Sequence, residues 1–223
     1  LPGSDPGAGV IFVGGHHDTQ AGTPGADDNA VGSSSVLELA RVLAGRGFKR
    51  SVRLISFGAE EQLSVGSANY VRRHRREVAA EGRFMFNIDG SGSALGWLAV
   101  NYNGMPSIEE LLRVIFRRHD LFYDLHQEVC PYTDQFPFAV AGVPGLWLTR
   151  KNCTTGVYYH HRRDDSLENI DTASLARQLD AVAEFLSVLA DDDTLPPPGL
   201  PEPLQAAIAS VWDNLYGGWQ GWD

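Results

Sequence analysis

Cysteine is scarce in this chain. Two among 223 residues, Cys130 and Cys153, are too few for a disulfide scaffold. One bridge, as an exported or cell-envelope protein would carry, and two buried thiols stay open as alternatives. Long apolar runs are missing as well. The run Val10–Val13 is cut short by Gly14 and Gly15, far from the ~20 residues that span a bilayer. Basic residues are the minority, 18 Lys and Arg against 28 Asp and Glu, for a formal net charge of −10. A chain with so little positive charge to neutralise phosphates does not suit a nucleic-acid partner. Its one basic cluster, Arg72–Arg76, is followed by Glu77 and Glu81 and reads as a solvated helix face. No Met opens the chain, and no basic and apolar leader precedes Leu1, so the expectation is a removed leader or a piece of a longer protein. Gly14-Gly15 is not followed by a phosphate-binding fingerprint, and Ser33–Ser35 does not sit in a nucleophile elbow.

Short apolar runs alternate with helical patterns. Strands are predicted at Val10–Val13, Val52–Phe57, Phe84–Ile88, Leu98–Tyr102 and Gly145–Leu148. Helices are predicted at Val31–Leu43, Gly66–Ala80, from Pro106 through Phe116, and at Thr172–Leu189. This alternation predicts an α/β fold with a mostly parallel or mixed central sheet and helices on both faces. Residues 1–190 form one catalytic unit in this reading. Residues 191–223 form an acidic, Pro-rich linker and a C-terminal helix or tail carrying Trp212, Trp219 and Trp222, expected to dock on its own domain.

Ligands in open α/β sheets bind beyond the carboxyl ends of the strands. The first predicted strand runs into His16-His17-Asp18, the second into Glu60-Glu61 and the third into Asp89. The last leads to His160-His161 and Asp164-Asp165, and an acidic turn, Asp27-Asp28-Asn29, precedes the first helix. One such residue is usually a cap or a satisfied polar group; five groups at one sheet edge call for another explanation. Imidazole with carboxylate suits zinc, and Mn, Fe or Co less selectively. Three carboxylates and a hydroxide would balance two divalent ions. His17 should face away from His16, since alternate residues of a strand do. His74, His119 and His126 have no metal-type spacing.

The segments Gly14–Thr19, Gly25–Ala30, Phe57–Ser67, Asn87–Asp89 and His161–Asp171 resemble, as an ordered set, the M28 family of co-catalytic zinc peptidases. The resemblance runs to about Leu189. It implies two zinc ions, with Co or Mn as substitutes, and a peptide substrate with a free N-terminus. His16 and Asp89 would bind one ion, Glu61 and His161 the other, and Asp28 would bridge them. Asp18 would orient the His16 imidazole, Asp165 would support the site from behind, and Glu60 would be the general base. A cis peptide bond between Asp28 and Asn29 is also implied.

Departures from the family pattern bear on the last ligand. His160 stands where family aminopeptidases often carry a Tyr that stabilises the oxyanion. Taking His160 as the ligand would put Tyr159 in that place, with Asp164 as the supporting carboxylate. Taking His161 aligns Asp165–Asp171 without a gap, and this register is preferred; the oxyanion bond then falls to His160 or Tyr159. The Ser-Asp-His-x-Pro-Phe stretch appears as Thr133–Phe138, and the strand and helix that usually come before the first His motif are not in this sequence, leaving the sheet short of an edge element. Two other functions compete. His161, Asp165, Glu168 and Asn169 also match the motif of a single-zinc glutaminyl cyclase, and some relatives are inactive binding domains. The substrate side-chain pocket is expected from Asn101–Pro106 and Cys130–Phe138.

Overall fold

The computed structural model describes residues 1–151, 158–194 and 199–220. In chain order the described strands are β1 (Val10–His16), β2 (Ser51–Phe57), β3 (Gly82–Ile88), β4 (Trp97–Asn103), β5 (Tyr123–His126) and β6 (Gly145–Lys151). They form one sheet in the order β2-β1-β3-β6-β4-β5. Every neighbouring pair is parallel except β4–β6, so the sheet is mixed. The helices are α1 (Val31–Leu43), α2 (Val65–Arg73), α3 (Arg75–Glu81), α4 (Pro106–Arg118), α5 (Gln135–Val140), α6 (Thr172–Asp191) and α7 (Glu202–Tyr216).

Alternation along the strands sorts the core into two layers. Ile11, Val13, Phe84 and Phe86 face α1, α4 and α6, where Leu39, Leu112, Phe185 and Leu186 meet them. Val10, Phe12 and Met85 face the other way, against Val71, Val78 and Phe138 of α2, α3 and α5. The helices therefore cover both faces, as the sequence pattern predicts.

Register sets the working edge of the sheet. His16, the last residue of β1, pairs with Phe57, the last of β2. Gly14 pairs with Asn87 on β3, so Asp89, two residues on, comes level with His16. Small residues let the first helix approach this edge: a Cβ on Gly15 would lie 2.8 Å from the Ile88 carbonyl oxygen and 3.1 Å from Gly32 at the start of α1.

The short helix α5, Gln135–Val140, lies where the sequence reading has a loop, and two further details differ. The predicted helix Gly66–Ala80 is two helices, because His74 leaves helical geometry at φ −109, ψ 19. No Pro or Gly causes the break; the His74 ring lies 4.7 Å from that of Tyr70, and Nδ1 is 3.3 Å from Glu77, which ties the two helices together. The edge strand β5, Tyr-Asp-Leu-His, was not foreseen. Four residues with no fully buried side chain leave too little hydrophobic pattern to detect.

The C-terminal helix docks on the domain. Leu200, Ile208 and Trp212 form a third buried cluster with Ala68, Phe136 and Ala139. Trp212 is fully buried, stacked on Tyr216 at 4.7 Å and beneath the Arg72 guanidinium at 4.7 Å. Trp222 lies outside the described residues. Trp212→Ala should cost about 3–5 kcal/mol, the usual scale for a buried aromatic. A urea midpoint unchanged from that of the exposed control Asn214→Ala would mean that α7 does not dock.

Candidate metal centre

Four contiguous parallel strands carry the site. Residues at or just beyond the ends of β2, β1 and β3 converge with the segment after β6 around a cavity of about 570 Å³. Asp28, Glu60, Glu61, Asp89, His160, His161 and Asp165 line it, and His16 lies buried beneath.

His16 is fully buried. Its Nδ1 stands 3.1 Å from the Asp18 carbonyl oxygen and 3.6 Å from the Asp18 carboxylate. With the proton on Nδ1 donated to that carbonyl, the Nε2 lone pair points inward. Nε2 lies 3.1 Å from Asp28 Oδ1 and 3.3 Å from Asp89 Oδ1, yet makes no hydrogen bond of acceptable geometry. The Asp18 carboxylate has another task. It accepts the backbone N–H groups of Glu60 (3.2 Å) and Glu61 (3.4 Å), fixing the turn that carries both glutamates. His17 is exposed and meets Ser56 Oγ at 3.0 Å, away from the cluster.

Asp28 faces both ways. Oδ1 turns to His16, while Oδ2 lies 3.2 Å from His161 Nε2 and 3.0 Å from His160 Nδ1. His161 Nε2 is also 2.8 Å from Glu61 Oε2, a carboxylate held from outside by the Gln20 amide at 2.9 Å. The two imidazoles stack at 3.5 Å, so neither is turned away from Asp28, but the contact with Glu61 belongs to His161. His161 adopts the left-handed φ of +58. Tyr159 does not line the cavity; its ring meets Tyr158 edge-on at 5.2 Å.

Asp165 explains how Asp28 is aimed. This buried carboxylate accepts the backbone N–H of Asp27 at 2.6 Å and that of Asp28 at 3.0 Å. Asp27 Oδ1 accepts Gly92 N–H at 2.7 Å, and the Asn29 amide donates to the Ile88 carbonyl at 3.0 Å. The Asp28–Asn29 peptide bond is cis. Asn169 donates to the Asp164 carbonyl at 2.7 Å, fixing the segment that presents Asp165.

These donors fit divalent cations. Donor atoms about 3.3 Å apart are the edges of a tetrahedron with metal–ligand distances of about 2.0–2.1 Å. Two groups of donors whose atoms all lie within 4.8 Å of one another occur among the described residues, His16 with Asp28 and Asp89, and Asp28 with His160 and His161. Electrostatics agrees. Burial, together with the nearby Asp89 and Asp134, pushes the Glu60 carboxyl up to about 9. Burial opposes charge on His16, but the carboxylates of Asp28 and Asp89 outweigh it and lift the imidazole to about 12. Carboxylates this crowded capture any available positive charge.

Sequence reasoning missed several members of the cavity wall. Gln20, Leu63, Gly90, Trp147 and Thr149 line it, as do Cys130 and Tyr132 of the expected loop. Asn101–Pro106 do not; Asn101, Tyr102 and Asn103 are buried in the end of β4, antiparallel to β6, and so point away from this edge. Trp147 carries only a strand pattern in the sequence, yet its Nε1 donates to the Asp89 carbonyl at 2.9 Å. A pairing of Cys130 with Cys153 falls outside the described residues.

The chain is 29% identical to leupeptin-inactivating enzyme 1 of Streptomyces exfoliatus over 88% of this chain and 48% of that one. It is 27% identical to aminopeptidase YwaD of Bacillus subtilis, over 78% and 39%. The solved structure of a zinc aminopeptidase from Bacillus subtilis superposes with a TM-score of 0.78 at 26% identity, covering 91% of this chain and 51% of that one. The chain thus spans about half the length, or less, of these relatives. The family model for peptidase family M28 matches residues 1–186, and the chain belongs to that family.

Proposed function

We propose that this chain is a zinc-dependent aminopeptidase domain that removes N-terminal residues from peptides, with a pair of zinc ions. One observation carries the reading: the two oxygens of Asp28 face two separate donor groups, His16 with Asp89 and His161 with Glu61. A carboxylate shared in this way is what a two-ion site requires and a one-ion site does not. The names of the relatives, an aminopeptidase and a zinc aminopeptidase among them, support the same reading.

His16 and Asp89 would hold one ion, Glu61 and His161 the other, and Asp28 both. When bound, zinc supplies Lewis acidity to the scissile carbonyl and lowers the pKa of water at the site. The chain's own groups do the rest. Glu60 Oε2 stands 3.9 Å from His16 Nε2, beside the ligands but outside the closer contacts. It takes a proton from the attacking water and returns it to the leaving amine. His160, beside His161 on the open side of the cavity, can donate to the oxyanion. The excess of carboxylates attracts the protonated α-amine of a free N-terminus. No described helix is long and apolar enough to cross a membrane.

Extended chelation should abolish hydrolysis of aminoacyl p-nitroanilides, and zinc should restore it. Glu60→Gln should retain bound zinc by elemental analysis while losing roughly 10²–10⁴-fold in kcat. Loss of metal along with activity would make Glu60 a ligand. A glutaminyl cyclase would instead release ammonia from an N-terminal Gln peptide and leave the anilides uncut.

The two histidines separate in a second measurement. His161→Ala should bind one zinc per chain, and His160→Ala two, with turnover reduced in the latter. The opposite stoichiometries would move the ligand to His160.

A further inference from the structure

The turn that carries Glu60 is built from conformations that side chains avoid. Ala59, Leu63 and Ser64 all have left-handed backbones, with φ of +56, +62 and +48, and none is glycine. Such residues persist only where their surroundings over-determine them, and they gather at functional sites. Here the surroundings are identifiable. Ser64 N–H donates to the Glu60 carbonyl at 2.7 Å, and Val65 N–H to the Ala59 carbonyl at 3.0 Å. Ala68 N–H and Ser67 Oγ both donate to the Ser64 carbonyl. Behind the turn, a Cβ on Gly66 would come within 2.0 Å of the Gly58 carbonyl oxygen, so only glycine lets α2 start this close to the end of β2.

The result of this geometry is the placement of one hydroxyl. Ser64 is fully buried, and its Oγ donates to Glu60 Oε1 at 3.0 Å. Glu60 therefore has two unlike oxygens: Oε1 is tied to Ser64, and Oε2 is the one turned toward His16. The phenol of Tyr216, at the end of α7, lies near Ser64 and Glu60 and donates its proton to the Pro131 carbonyl at 2.6 Å. With its proton committed to Pro131, it leaves the Ser64 proton to the carboxylate, the stronger acceptor.

We infer that Ser64 is the positioning residue of the general base. Its hydroxyl holds Glu60 Oε1 and leaves Oε2 as the single proton-carrying oxygen, in the rotamer that faces the metal ligands. The inference rests on the assignment of Glu60 as that base. A carboxylate that lost this bond would keep its backbone place through Asp18 but could rotate its oxygens out of line, and catalysis depends on alignment of that kind.

Ser64→Gly is the discriminating variant. It removes the hydroxyl while relieving the left-handed backbone, so a purely structural serine would tolerate it with full activity. The expected result is a kcat on aminoacyl p-nitroanilides lower by roughly tenfold to a hundredfold, the loss of a hydrogen bond to a charged group. KM and bound zinc should be unchanged. In the Glu60→Gln background the same substitution should lower kcat by less than twofold, because the group it positions is gone. A crystal structure of the metal-free Ser64→Gly protein should show the Glu60 carboxylate in more than one orientation. Wild-type kcat in Ser64→Gly, or a single wild-type-like Glu60 rotamer, overturns the proposal even if Glu60→Gln is inactive. Full activity of Glu60→Gln would instead remove the general base itself.

Discussion

Asp28 is shared between two groups of donors, and much of the structure around the site serves to hold it there. Its oxygens lie 3.1 Å from His16 and 3.2 Å from His161, two residues 145 positions apart in the sequence. A carboxylate can face both only if its backbone is fixed, and the fixing group is another buried carboxylate, Asp165, bonded to two successive N–H groups. That arrangement brings Asp28, Asp165, Asp27 and Asp89 together in a poorly solvated place, where burial and mutual repulsion push Asp27 up to about 7. Hydrogen bonds from Gly92 and the Asp27–Asp28 backbone offset part of this cost, and the histidines beside Asp28 and Asp89 another part. Bound cations would supply the largest part, which links metal binding to the stability of this edge of the sheet.

The parallel sheet solves a second problem, bringing distant residues level without long loops. His16, Asp89 and the Glu60-Glu61 turn each lie within four residues of a strand end, on three adjacent strands in register. The turn needs more than register. Asp18 caps it from one side, Gly66 allows α2 to close on it from another, and three left-handed residues give it its shape. Residues in such conformations cost roughly 1–2 kcal/mol each. That cost is tolerable here because α2 and α5 pack beneath α7 in a cluster centred on Phe136 and Trp212. The C-terminal helix, which lies beyond the residues matched by the family model, is tied to the domain through Tyr216, whose phenol donates to the Pro131 carbonyl.

Much of this was legible in the sequence, and the reason is local. The groups His16-His17, Asp27-Asp28, Glu60-Glu61 and Asp89 stand where a strand or turn pattern ends, so periodicity places them at one edge without knowledge of contacts; the choice of member within each pair comes from the family resemblance. The α/β class follows from the same periodicity. The run Asp165–Asp171 could be aligned as a unit, and the nearness of His161 to Glu61 agrees with that register. What the sequence could not carry is long-range geometry. Asp18 is expected beside the His16 ring and lies there, its carboxylate 3.6 Å from Nδ1; what no motif announces is that the same carboxylate accepts backbone N–H groups more than forty residues away. Gln20 on Glu61, Trp147 on the Asp89 carbonyl and Tyr216 beside Ser64 have no motif to announce them. Each is an ordinary residue whose role comes from where the chain folds back. Strand and helix patterns depend on nearest neighbours and can be read along the chain. The direction of a side chain into a shared cavity depends on several elements at once, and only their packing decides it.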